Sequence, residues 1–71
     1  MEAALRDLAD TRRGTFCPSE AARRVAAGEA EWRALMPLVR AVAREMGLRA
    51  TQGGVEVDPV AARGPIRLAR R

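Results

Sequence analysis

The chain has no histidine, no tyrosine and no lysine. A serine or cysteine nucleophile would therefore lack its usual basic partner, and the chain is read as no enzyme. A metal site would rest on carboxylates alone. With no D-x-D-x-D run and no paired glutamates, neither a metal nor any other cofactor is expected. The single cysteine, Cys17, excludes an internal disulfide. Two aromatics, Phe16 and Trp32, provide no stacking platform for single-stranded nucleic acid. No apolar run approaches the roughly 20 residues of a membrane span. The chain opens on charged and small residues, which is not the pattern of a secretory leader. The expectations are a reducing cytoplasm and no membrane partner.

What is present is alanine and arginine. Seventy-one residues suffice for one small domain, 1–71. Much of the hydrophobic content is alanine, so the core is small, and a homodimer or a partner protein would supply further burial. All thirteen basic residues are arginine, and the net charge is +4. Residues 1–31 carry five arginines against six acidic residues, and residues 32–71 carry eight against three. The excess of positive charge in the second part suggests a polyanionic partner.

Along the chain, Leu5, Leu8, Ala9 and Arg12 follow helical spacing, which predicts a first helix over Glu2–Arg12 ended by Gly14. Thr15-Phe16 reads as a short extended piece. Pro18 fits the first position of a second helix, with Glu20 in its first turn. That helix runs to about Ala27 with Ala22, Val25 and Ala26 inward. A third helix is predicted from near Glu29 to Gly47, bent at Pro37. A second reading of that stretch is a short turn at 30–35 and a new helix with Pro37 at its first position. Trp32, Leu35, Met36, Val39, Ala43 and Met46 form its apolar stripe.

Leu48 to Asp58 reads as a β-hairpin about Gly53-Gly54, the residues a two-residue type I′ turn requires. This register pairs Gln52 with Val55, Thr51 with Glu56, Ala50 with Val57 and Arg49 with Asp58. Leu48, Ala50, Val55 and Val57 then share the core face. Val60–Arg63 is a turn, Ile66-Arg67-Leu68 a short strand, and Arg70-Arg71 a frayed tail.

The fold class is therefore mainly α with a small antiparallel β-sheet. The element order is that of a winged helix-turn-helix, with three helices and a β-hairpin wing. The strings TFCPSEAARRVA, EWRALMPLVRAVA and VDPVAARGPIRL, spread over nearly the whole chain, resemble the bacterial family catalogued as domain of unknown function 3253. That resemblance implies a winged-helix-like fold and no assigned activity.

Function then rests on arginine. Arg33, Arg40 and Arg44, at i, i+7 and i+11, are expected on one face of the third helix, where arginine can contact guanine or phosphate in a major groove. Arg23 and Arg24, with Arg12 and Arg13 nearby, would flank the groove through backbone contacts. Double-stranded DNA is the expected partner. The alternative is a protein-interaction or dimerisation module on the same fold. The wing argues for little DNA contact of its own, since Arg49 and Thr51 face Asp58 and Glu56 and its tip is uncharged. Gly53-Gly54 joins strands and opens no helix, so it is no phosphate loop. Cys17, at the start of the second helix, is read as a small buried residue beside Phe16 in preference to a redox thiol.

Overall fold

The computed structural model describes residues 1–71. Helix α1 spans Glu2–Thr11 and buries Leu5, Leu8 and Ala9. It stops earlier than Gly14, because Arg12 is already extended, at φ −90° and ψ 136°. Helix α2 spans Pro18–Val25. Pro18 occupies its first turn, where a missing N–H costs nothing. The Cys17 N–H donates to the Glu20 carboxylate at 3.1 Å and the Glu20 N–H to the Cys17 carbonyl at 2.9 Å. These bonds fix the point of entry.

α2 ends at Val25, short of Ala27, with Ala26 extended. Its buried residues are Pro18, Ala21 and Ala22, and Val25 is 45% exposed. The earlier end carries Val25 past the edge of the core.

The bent third helix is not formed. Residues Trp32–Leu35 make a 3-10 turn that runs directly into helix α3, Met36–Glu45, with Leu35 and Met36 both in the right-handed helical region and Pro37 in the first turn of α3. This is the second of the two sequence readings. An interior proline would remove a hydrogen bond and clash with the preceding turn, whereas in the first turn it does neither. Val39 and Ala43 of α3 are fully buried. Gly47, at φ +71°, closes the helix: its N–H donates to Arg44 and that of Leu48 to Ala43, both at 3.0 Å.

Strand β1 spans Arg49–Gln52, β2 Val55–Glu56 and β3 Arg67–Ala69. The sheet is antiparallel in the order β2-β1-β3. The hairpin register is the expected one, with Thr51 opposite Glu56 and Gln52 opposite Val55. Gly53 and Gly54 take φ +58° and +82°, as the turn demands. Val55 is 66% exposed, however. It lies on the expected face but beside the turn, beyond the reach of the core.

β3 pairs with the other edge of β1, and Phe16 extends the sheet by exchanging two backbone hydrogen bonds with Leu68, at 2.8 and 2.9 Å. The helices pack on one another and share a single core with the sheet, in which Phe16, Leu5, Leu8, Leu68 and Val39 are the large buried side chains. Three helices and a small sheet with its hairpin wing make the winged-helix layout. No helix is long and apolar enough to cross a membrane.

The last two residues are tethered, which corrects the expectation of a frayed tail. Arg71 donates from Nε to the Gly47 carbonyl at 3.0 Å and pairs with Glu56, while Arg70 lies 3.6 Å from Asp10.

Candidate nucleic-acid interface

The five arginines expected to contact DNA are drawn to different partners. Arg40 is half-buried on α3 and donates to three backbone carbonyls, those of Ala62 and Gly64 at 2.7 Å and Pro59 at 3.4 Å. It fastens the 58–65 loop to α3. Gln52 holds the same loop from β1, through the carbonyls of Arg63 and Pro65. Asp58 opens the loop by accepting the N–H groups of Val60 and Ala61, at 2.7 and 3.3 Å. Those two bonds, and then the nearby Arg44, hold its carboxyl below the ordinary range.

Arg44 is exposed and lies 3.7 Å from Asp58. Arg24, on α2, pairs with Asp7 of α1. Both are exposed ion pairs, of the kind that contributes about 0–1 kcal/mol and exchanges readily with solvent or another anion.

The family model described as "Protein of unknown function (DUF3253)" matches the chain over residues 1–71. The chain belongs to the DUF3253 family. No curated protein matches it. In this DUF3253 chain, the ending VDPVAARGPIRL is the docked loop and the third strand, clamped by Arg40 and Gln52.

Arg23 and Arg33 differ from the other three. Their guanidinium carbons lie 4.5 and 4.8 Å from the centre of the Trp32 ring, within cation–π range. Neither is paired with a carboxylate. The nearby Glu29 instead accepts the Trp32 indole N–H at 3.2 Å. Trp32 is half-buried against the core, so it joins α2 to the 3-10 turn and carries two exposed guanidinium groups on one ring. Stacking fixes the plane of a guanidinium and leaves its N–H edge free to donate.

Arg33 precedes α3, so the i, i+7, i+11 spacing does not run along one continuous helix. The positions of α3 opposite Val39 and Ala43 are Pro37, Ala41 and Glu45, with Leu38 and Arg44 on either side, all exposed. The outward face of the third helix thus carries Pro37, Leu38 and Ala41 together with one acid, Glu45, and one base, Arg44. On the wing, Glu56 pairs with Arg71. The expected cross-strand balance of Arg49 by Asp58 gives way to Arg44 with Asp58. Cys17 is half-buried, its thiol 3.0 Å from the Ser19 hydroxyl.

Proposed function

We propose that the chain is a cytoplasmic DNA-binding module of the winged-helix type, gripping duplex backbone through Arg23 and Arg33. One observation carries this reading: two exposed guanidinium groups, without acidic partners, lie on Trp32 between α2 and α3. In a helix-turn-helix that side faces the duplex. Arg24 and Arg44 would join by exchanging exposed carboxylates for phosphates. Arg40 is occupied by the 58–65 loop and takes no part. Pro37, Leu38 and Ala41 offer no hydrogen-bonding side chain to base edges and Glu45 offers only an acceptor, so the reading includes little sequence preference.

The test is a duplex titration at ~50 and ~200 mM salt, with log affinity falling by about 0.9 per phosphate neutralised for each unit of log salt. Arg23→Ala with Arg33→Ala should weaken binding and lower that slope by about 2. Absence of duplex binding at the lower salt, or an unchanged slope in the double variant, overturns it.

A second reading, contact with another protein, rests on the exposed apolar face of α3. Leu38 is 48% exposed, and Val25 of the neighbouring α2 is 45% exposed. A dimer seen by sedimentation and abolished by Leu38→Glu, together with no duplex binding, would decide for it.

A further inference from the structure

The largest cleft, about 450 Å³, mixes Glu2, Asp10 and Glu45 with Arg6 and Arg70, so it favours no ligand of one sign. A second cleft, of about 370 Å³, is different. Arg12 and Arg13 line it from the end of α1, Arg49 from β1, and Arg70 and Arg71 from beyond β3. No carboxylate lines it. The folded chain brings these residues together from three places. Arg49 is the antiparallel partner of Ala69, and the Phe16–Leu68 bridge on the far side of β3 draws the end of α1 toward the same end of the sheet.

Three of the five guanidinium groups are held by acids outside the lining: Arg12 by Glu20 at 2.7 Å, Arg70 by Asp10 at 3.6 Å, and Arg71 by Glu56. The side chains of Arg13 and Arg49 make no hydrogen bond or ion pair within the chain, although Arg49 lies near enough to Glu56 to favour its ionised form. Gly14 and Thr15 also line the cleft, and their N–H groups donate to no backbone carbonyl.

We infer that this cleft is a binding site for a compact oligophosphate, an anion of two or three linked phosphates. Guanidinium forks match phosphate oxygens in geometry as well as charge. The volume lies at the small end of ligand clefts, about 300–1,000 Å³. No aromatic residue lines it, so the phosphates, and not a base, are what it recognises. The site is independent of the duplex contact, because it uses none of Arg23, Arg24, Arg33 or Arg44.

The test is calorimetric titration of the full chain with inorganic triphosphate at ~150 mM salt, where long-range attraction is screened. Saturable one-to-one binding is expected, tighter than for monophosphate or sulfate at matched ionic strength. A nucleoside triphosphate should bind with the same affinity as the inorganic anion. Arg13→Ala with Arg49→Ala should weaken triphosphate roughly tenfold per arginine removed. Arg23→Ala with Arg33→Ala, which removes the same charge elsewhere, should leave it unchanged. Thermal unfolding of both variants checks that the fold is kept.

Three results would overturn the site: no saturable binding, equal losses in the two variants, or duplex and triphosphate binding lost together in Arg13→Ala with Arg49→Ala. If the duplex reading fails, wild type shows no duplex binding while the triphosphate result stands.

Discussion

Thirteen arginines share one chemistry, and the surroundings of each guanidinium separate their roles. Arg40 and Arg44 stand one helical turn apart on α3 and are told apart by their acceptors. Arg40 is half-buried and satisfies three carbonyls of a loop, whereas Arg44 is exposed and faces one carboxylate. Hydrogen bonds from a charged donor are worth about 1.5–3 kcal/mol, and their loss leaves loop carbonyls without partners. Arg40→Ala should cost about 2 kcal/mol and lower the unfolding midpoint by on the order of 10 °C. Arg44→Ala should cost less than about 1 kcal/mol. Thermal unfolding of the two variants side by side checks this. Equal shifts would mean that Arg40 does not hold the loop. The contrast bears on any DNA experiment too, since a variant carrying Arg40→Ala confuses lost contact with lost fold.

At the scale of elements, the 58–65 loop and the wing each carry an exposed carboxylate whose ionised form the fold favours. Asp58 is held below its ordinary value of 3.8, first by the N–H groups of Val60 and Ala61 and then by Arg44. Glu56 is held below 4.5, first by its hydrogen bond from Arg71. Both values are depressed in the folded chain. The stabilisation is thus full above the unfolded values and is lost as pH falls through the folded ones. The unfolding midpoint should begin to fall as pH drops below 4.5, and Asp58→Asn with Glu56→Gln should flatten that fall. A double variant with an unchanged acid profile would dissociate these carboxylates from the loop and wing.

The same elements show what the sequence can disclose. The hairpin was legible because glycine turn and apolar alternation are both local and agree on one register. The start of α3 was not, because Pro37 is compatible with a bend or with a first turn, and only packing of Trp32–Leu35 decides. Alternation put Val55 on the right face without saying where the core stops. The separation of Arg40 from Arg33 and Arg44 depends on the 58–65 loop folding back, and the five-arginine cleft on β3 pairing with β1. Both are long-range events with no local signal.

At the scale of the molecule, only 14 of 71 residues are buried, and one aromatic is among them. Phe16 is fully buried, and its backbone also bridges Leu68 across the chain. Truncating a buried phenylalanine costs about 3–5 kcal/mol. Small domains have roughly 0.05–0.15 kcal/mol of stability per residue, or about 4–11 kcal/mol for a chain of this length. Phe16→Ala should therefore remove much of the total, and near the lower end of that range it would leave a substantial unfolded fraction at room temperature. Phe16→Leu, which keeps most of the volume, should cost about 1–1.5 kcal/mol. Denaturant unfolding followed by Trp32 fluorescence and by far-ultraviolet circular dichroism measures both. Helices and sheet share one core, so the two probes should report a single coincident transition. Equal losses for alanine and leucine, or a separation of the probes, would show that α1–α3 and the sheet are held independently. A single transition carries a further consequence: Phe16→Ala should weaken duplex and triphosphate binding together, in proportion to the folded fraction, although Phe16 touches neither ligand.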